Sequence, residues 1–172
     1  MGIEVRPYDD RWPVQFVQER ALLEQALSPW LAAGVHHIGS TAVPGLAAKP
    51  MLDMIAGVAD LRAASAAVPA LLALGYLQGE HRPHEALWFA KYAPGEPDRA
   101  THGLHLTEVG SSLWRERFAF RDALRADPEL VREYAALKTR LAAEHTHLPA
   151  YTRDKREFVA SVLEGAGVRL GG

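Results

Sequence analysis

The chain has 172 residues, of which 48% are apolar and 23% are charged, and its formal net charge is -2. This length supports one domain with a sizeable core, so we expect a single domain over residues 1–172. The near-neutral charge argues against a duplex-DNA-binding protein, which usually carries a basic excess. Because the chain has no cysteine, disulfides and thiolate zinc sites are excluded, and any metal must bind oxygen or imidazole.

The sequence shows no sign of export or of a membrane span. The N-terminal stretch "MGIEVRPYDDRW" lacks the cationic segment and apolar run of a signal peptide. No apolar run reaches the ~20 residues that cross a bilayer. These features predict a cytoplasmic protein without a membrane partner, and they do not predict an oligomeric state.

The first half of the chain predicts two helices and two strands. A helix capped by Asp9 and Asp10 begins near Trp12 and ends before Pro29. The strands "GVHHI" and "MLDMIAGV" flank a loop rich in proline and glycine. Asp60 then caps a helix with the sequence "LRAASAAVPALLAL".

The second half predicts three strands followed by three helices. The strand candidates are "YLQG", "ALWFAKY" and "GLHLTEV", and "APGEPDRATH" has the composition of a loop between the last two. From about residue 111 the spacing indicates the helices "SSLWRERFAFRDALRAD", "PELVREYAALKTRLAAEH" and "YTRDKREFVASVLEGAG". This order predicts an α+β fold with helices packed on a mixed β-sheet and a helical C-terminal part.

The stretch "GSTAVPGLAAKPMLDMI" combines a phosphate-type turn with an acid on a strand. Gly39 permits a tight turn, Ser40 can offer a hydroxyl and an amide, and the N–H groups of the turn that follows, where Thr41 lies, can hold a phosphate. Asp53 follows on the next strand. A nucleotidyltransferase fold uses such a pairing because Mg²⁺ needs hard oxygen ligands and bridges to phosphate oxygens.

Four blocks of the chain resemble one protein family. "HIGSTAVPGLAAKPMLDM", "THGLHL", "FAFRDALRADPELVREYAALKTRLA" and "YTRDKREFV" are similar to the GrpB family of uncharacterised proteins in the nucleotidyltransferase-like superfamily. The resemblance covers nearly the whole chain and implies a nucleotidyltransferase-like fold. Some members are fused to a dephospho-coenzyme A kinase, which implies a nucleotide- or coenzyme-related context.

The pattern departs from active nucleotidyltransferases at one position. Those enzymes carry two carboxylates two residues apart on the strand, so that both face the metals. Here Ile55 stands in the second place, and Glu108 is the nearest candidate replacement. Three hypotheses follow for Asp53: transfer from a nucleoside triphosphate with Mg²⁺ or Mn²⁺, non-catalytic binding of a nucleotide or phosphate ester, or a structural acid satisfied by loop N–H groups.

The stretch "THGLHLTE" offers a metal-binding alternative. A regular strand points His102 and His105 to opposite faces, whereas a bulge at Gly103 would bring them to one side. Together with Asp53 they would then form a two-histidine, one-carboxylate set that suits Zn²⁺. The simpler alternative is one histidine in the sheet and one in a loop.

Several cationic and aromatic residues are candidates to contact a phosphate or a base. We assign Asp53, Lys49 and Arg121 as candidate catalytic residues, because all three belong to the blocks that resemble the family. The alternative for each helix cation is a solvated or locally paired charge. The candidate nucleotide-binding residues are Gly39, Ser40, Thr41, Lys91, Tyr134, Lys138 and Lys155.

Overall fold

The computed structural model describes residues 4–144 and 148–170. The helices are α1 (Arg11–Leu27), α2 (Leu61–Ala64), α3 (Val68–Ala73), α4 (Ser112–Ala126), α5 (Pro128–Glu144) and α6 (Leu148–Gly165). The strands are β1 (Leu31–Ile38), β2 (Leu52–Val58), β3 (Leu77–Gly79), β4 (Ala86–Ala93) and β5 (Glu96–Glu108). None of these helices is long and apolar enough to cross a membrane.

The described strands form one mixed sheet in the order β1-β2-β5-β4-β3. β2 and β5 are parallel neighbours, and the other pairs are antiparallel. A parallel pair needs a crossover connection, which α2, α3 and the β3-β4 hairpin supply here. The mixed sheet with packed helices confirms the predicted α+β class.

The two faces of the sheet have different coverings. Residues such as Met54, Phe89 and Leu104 point to one face, where they form the main core with α1, α2 and α3. We call this the α1 face. The opposite face carries Asp53 and Ile55 on β2, since neighbouring residues of a strand alternate in direction. We call it the cleft face, and α4 covers part of it.

The C-terminal helices close the end of the cleft face near Asp53. Helices α4, α5 and α6 contact one another. A small core of Val43, Leu46, Leu124 and Tyr134 joins them to the loop between β1 and β2. The helices are therefore attached to the loop that precedes the acid-bearing strand.

Two predicted elements differ from the structure. The helix predicted from Leu61 divides into α2, a 3₁₀ turn at Ser65–Ala67 and α3, and Pro69 takes an opening position of α3, where its missing N–H is tolerated. The segment "APGEPDRATH" is mostly strand, and only Pro94 and Gly95 make the turn. The start of β5 is exposed and polar, so its composition resembles that of a loop.

Candidate functional site

The turn after β1 is fixed by Gly39 and lies against Asp53. Gly39 has φ +73°, a conformation that side chains other than glycine rarely adopt. A Cβ atom at this position would lie 2.7 Å from Oδ2 of Asp53. The chain then forms a 3₁₀ turn at Ser40–Ala42. Glycine is thus required both by the backbone and by the close approach of the acid.

Thr41 holds this turn from inside the protein. Its hydroxyl donates to the carbonyl of Met51 at 3.0 Å and accepts from Nε2 of His37 at 2.8 Å. His37 stacks on Phe16, and burial lowers its pKa to about 4, so the imidazole is neutral. The donor and acceptor roles of the Thr41 hydroxyl are thus both used inside the protein, and binding of a nucleotide by Thr41 stays a prediction.

Asp53 lies on the cleft face, and none of the side chains that the structure describes forms a hydrogen bond or an ion pair with it. It pairs in register with Ile38 and Gly103. No N–H group of residues 4–144 and 148–170 donates to its carboxylate, in contrast to the structural-acid hypothesis. Burial raises the pKa of Asp53, and the cations around it oppose this rise through space. They are, in decreasing order of effect, Lys155, Arg117, Lys49 and Lys138.

A cavity of about 350 Å³ opens over this part of the cleft face. This volume lies within the range of small-molecule sites in proteins. Its wall includes the turn after β1, the loop before β4, strands β4 and β5, and helices α4 to α6. Its polar lining includes Ser40, Asp53, His81, His105, Arg117 and Lys155.

Arg117, Lys155 and Lys138 make the C-terminal wall of the site cationic. Arg117 and Lys155 line the cavity together with Tyr134. Lys138 lies behind them, only 2% exposed, with its ammonium 4.9 Å from the ring centroid of Tyr134. Burial lowers the pKa of Lys138 to about 7, with a further contribution from Lys155. Tyr134, Lys138 and Lys155 thus lie together beside the cavity.

We expect replacement of Lys138 by methionine to stabilise the ligand-free protein. The folded pKa of about 7 is below the ordinary 10.5, so the unfolded chain binds more protons between these values and the wild-type protein gains stability as the pH rises through this range. At pH 7 Lys138→Met should therefore raise the free energy of unfolding by about 1–4 kcal/mol. The advantage should shrink by pH 10. Urea denaturation of both proteins at the two pH values measures it.

Exposed Lys49 provides the control for this prediction, because it lies outside the cavity lining. Lys49→Met should leave the free energy of unfolding nearly unchanged at both pH values. A Lys138→Met protein that is less stable than wild type at pH 7 would contradict a desolvated ammonium at this position.

Three aromatic rings form one part of the cavity wall, which we call the aromatic end. Trp88 of β4 faces His105 of β5, with 4.6 Å between ring centroids. His81, in the loop before β4, has its ring centroid 5.2 Å from that of His105. The indole of Trp88 lies over Gly103, where a Cβ atom would be 2.3 Å away. Gly103 therefore makes room for an aromatic side chain and does not bend the strand.

His102 and Lys91 lie on the α1 face, away from the cavity. β2 and β5 pair in unbroken register from Leu52–His102 to Val58–Glu108, so there is no bulge at Gly103. Lys91 donates to Oε1 of Glu19 at 2.6 Å, and Nε2 of His102 lies 3.8 Å from Oε2 of the same carboxylate. The prediction that Lys91 lines the ligand site is wrong.

The same register separates the proposed metal ligands. Only Asp53 and His105 of the predicted set share the cleft face, and His102 points the other way. Within the described part of the chain no three histidine, aspartate or glutamate side chains are grouped to hold a metal ion. The grouping of Asp53, His102 and His105 in one zinc site is therefore a wrong prediction.

Arg121 and Glu108 have other roles than those predicted from the sequence. Arg121 donates from Nη1 to the carbonyl of His37 at 3.1 Å and from Nε to Asp122 at 2.9 Å, which ties α4 to the end of β1. It is not among the residues that line the cavity. Glu108 accepts from the backbone N–H of Leu61 at 3.0 Å, so it does not replace the missing carboxylate.

Ile55 occupies the position where a two-carboxylate metal centre has its second acid. Its side chain is fully buried and packs with Ile38 and Leu113 under α4. A charged carboxylate at this position would lie in an apolar cluster without a partner. Asp53 is therefore the one acid that β2 contributes to the cavity.

Arg117, His81 and Trp88 were not predicted as site residues. Arg117 had a usable signal, because it lies on the apolar face of α4, four residues after Leu113 and seven before Leu124. A cation on an apolar stripe points into the protein. Trp88 and His81 gave no comparable signal, since their position depends on how β4 pairs with β5.

The chain matches the family model described as "GrpB protein" over residues 2–165. The chain belongs to the GrpB family. A GrpB relative, the UPF0157 protein YqkA of Bacillus subtilis, is 34% identical over 166 residues, and the match spans 95% of this chain but 47% of YqkA. A protein of Mycolicibacterium paratuberculosis named dephospho-CoA kinase is 33% identical over 159 residues, which span 79% of this chain and 39% of that protein.

Solved structures agree with this membership. The crystal structure of the conserved protein GrpB from Enterococcus faecalis is 28% identical, has a TM-score of 0.82 and is matched over 95% of this chain and 99% of that one. The Cid1 poly(U) polymerase has a TM-score of 0.53 at 14% identity, over 81% of this chain and 44% of that one. The second likeness shows that the GrpB chain shares the nucleotidyltransferase-like fold.

Proposed function

We propose that the cavity on the cleft face binds a nucleotide or another phosphate ester. The observation that carries this proposal is the convergence of cations on one acid. Arg117, Lys138 and Lys155 come from three different helices and act on the single carboxylate of Asp53. The cavity lining also carries the exposed carboxylate of Glu80, so the cations are concentrated where the C-terminal helices meet Asp53. Charged donors of this kind suit a phosphate group.

The turn after β1 supports the same ligand. Ser40 lines the cavity beside Asp53. A backbone turn with a hydroxyl near a cationic wall is a suitable cradle for phosphate oxygens. The phosphate would lie between this turn and the guanidinium of Arg117, and the lowered pKa of Lys138 would rise when the anion arrives, which strengthens the attraction.

Asp53 fits one Mg²⁺ or Mn²⁺ ion that arrives with the ligand. Mg²⁺ is commonly held by one or two carboxylates together with substrate phosphates, and it keeps several waters. The cation would screen the phosphate charge and polarise the phosphoryl oxygens. Asp53 would supply one oxygen ligand, and Arg117 and Lys155 would contact the remaining phosphate oxygens.

Metal-dependent nucleotidyl transfer is the second candidate function. It is favoured by the nucleotidyltransferase-like fold and by the position of Asp53 beside the Gly39–Ser40 turn. Against it stands Ile55, which leaves β2 with one acid where a two-metal centre uses two. The relative named dephospho-CoA kinase also favours a nucleotide-related role without specifying the reaction.

Calorimetry tests the binding proposal. ATP, CTP, UTP and inorganic tripolyphosphate are titrated into the protein with and without Mg²⁺, and Arg117→Met is compared with Arg115→Met, an exposed arginine on the same helix. We expect micromolar to millimolar binding that Arg117→Met weakens at least about tenfold, because a charge-assisted hydrogen bond is lost. Absence of heat with every anion, or equal losses in the two variants, would refute it.

The same samples separate binding from transfer. Pyrophosphate release in the presence of Mg²⁺ or Mn²⁺ and acceptors such as RNA, amines and sugars would identify transfer. Binding without pyrophosphate release from any triphosphate would leave the non-catalytic function.

A further inference from the structure

The cavity has two chemically different ends. The C-terminal helices and the turn after β1 supply the cations and a hydroxyl together with the rings of Phe120 and Tyr134. Strands β4 and β5 and the loop before β4 supply the rings of Trp88, His105 and His81 together with the exposed carboxylate of Glu80. A phosphate or sugar phosphate needs only the first end. A ligand that fills both must join an anionic group to a planar apolar group.

His105 is the polar group of the aromatic end. Its side chain is 6% exposed, and Nδ1 has no hydrogen-bond partner among the residues that the structure describes. Buried polar atoms are nearly always paired in native proteins, because leaving one unpaired costs about 1–3 kcal/mol. Nδ1 is the one such side-chain atom in the described part of the chain, and the residue lines the cavity.

The surroundings of His105 keep the imidazole neutral. Burial sets its pKa well below the ordinary 6.5, and Arg117, His81 and Arg82 lower it further. A neutral imidazole nitrogen can donate or accept according to its tautomer. It can therefore form one hydrogen bond to the edge of a heteroaromatic ring, which also presents donors and acceptors.

Trp88 and His81 supply faces for such a ring. Trp88 is held flat by its contact with Gly103, and the ring centroids of His81 and Trp88 are 6.2 Å apart. Base–aromatic stacking is tolerant of sequence and contributes about 1–3 kcal/mol per base. The three rings thus provide stacking surfaces around one unpaired polar atom.

We propose that the ligand is a nucleotide whose base occupies the aromatic end, beside His81 and Trp88, and forms a hydrogen bond with the imidazole of His105. This proposal rests on the function proposed above and narrows it from phosphate esters to nucleotides. His105 contacts the ligand directly and contributes to the choice of base. The cations at the other end hold the phosphates.

Matched ligands and variants test the role of the aromatic end. AMP, CMP, UMP and GMP are compared with ribose 5-phosphate, which lacks a base, and with tripolyphosphate. His105→Phe keeps a ring of similar size but removes both imidazole nitrogens, and His105→Asn restores polar atoms on a smaller side chain. His84→Phe is the control, because His84 is exposed in the same loop as His81 and does not line the cavity.

We expect at least one nucleoside monophosphate to bind at least about fivefold more tightly than ribose 5-phosphate. His105→Phe should lower the affinity for that nucleotide about five- to tenfold and change the affinity for tripolyphosphate by no more than about twofold. His105→Asn should restore part of the lost nucleotide affinity. The His84→Phe protein should bind the nucleotide and tripolyphosphate with wild-type affinity. Circular dichroism and thermal melts establish that each variant is folded before titration.

The outcomes distinguish the two proposals. The base-binding role would be overturned if ribose 5-phosphate bound as tightly as every nucleotide. It would also be overturned if His105→Phe lost equal affinity for the nucleotide and for tripolyphosphate. In both cases the phosphate site would stand. A His105→Phe protein with wild-type nucleotide affinity would also overturn the base-binding role. Absence of binding by nucleotides and tripolyphosphate alike would refute the phosphate site itself.

Discussion

Replacement of Asp53 by asparagine should remove the effect of Mg²⁺ on ligand affinity without destabilising the protein. The side chain keeps its size but loses the charge that holds the cation, so the Mg²⁺-dependent gain in nucleotide affinity should fall by at least about tenfold. Calorimetric titrations of wild type and Asp53→Asn with ATP, with and without Mg²⁺, measure this change.

The stability of the same variant has a defined pH dependence. Burial raises the folded pKa of Asp53 above its ordinary 3.8, so ionisation of this carboxyl costs stability as the pH rises through the folded pKa. The Asp53→Asn protein lacks this cost, so its free energy of unfolding at pH 7 should equal or exceed that of the wild-type protein. Asp98→Asn, on the exposed start of β5, is the control and should change neither property.

A loss of several kcal/mol in Asp53→Asn would contradict this account, because it would identify a structural acid with partners. Unchanged Mg²⁺ dependence of nucleotide affinity would likewise remove Asp53 from the site. Urea denaturation at pH 5 and pH 7 provides the stability values.

Replacement of Arg82 by methionine should cause the largest loss of stability. Arg82 lies in the loop before β4 with φ +49°, and its guanidinium pairs with Glu116 of α4 and with Glu85 at 2.6 Å. Glu116 is 1% exposed, so loss of the guanidinium removes a paired cation from a buried carboxylate. We expect Arg82→Met to lower the free energy of unfolding by about 3–5 kcal/mol.

The loop anchored by Arg82 also carries His81, so the variant should bind nucleotides more weakly even where it remains folded. Arg62→Met, at an exposed position of α2, serves as the matched control. Urea denaturation midpoints measure both. An Arg82→Met protein that unfolds at the same urea concentration as Arg62→Met would show that the buried pair contributes no net stability.

The order of most helices and strands can be predicted from local patterns in the sequence. Periodicity and capping residues predicted α1, α4, α5 and the core strand β2, because each has an apolar face or run. Pro69 divided a predicted helix, and the polar start of β5 was predicted as a loop. The first error reflects a local constraint, because proline has no N–H to donate within a helix. The second arises where strand pairing overrides composition.

The site was predictable where it depends on one short segment and not where it depends on strand pairing. Gly39, Ser40 and Asp53 lie within one block and adjoin in the structure. A bulge at Gly103 would bring His102 to the same face as His105, whereas the unbroken pairing of β2 with β5 keeps His102 on the α1 face. A bulge is a property of the paired strands and is not visible in one strand alone.

The choice between Arg121 and Arg117 illustrates the same limit. The family resemblance favours Arg121 as a site residue, because it lies in a matching block. In the structure Arg121 donates a hydrogen bond to the carbonyl of His37 at the edge of the site. Arg117 lines the cavity from the apolar face of α4. Its position on that face was a physical signal that a family block does not contain.

The most direct test of a phosphate site on the cleft face is a crystal structure of the protein soaked with ATP or tripolyphosphate in the presence of Mg²⁺. We predict phosphate density between the turn at Ser40, Asp53 and the guanidinium of Arg117, with the ammonium of Lys155 turned toward it. Phosphate bound only elsewhere on the surface, with this cavity holding water alone at saturating ligand, would contradict the account.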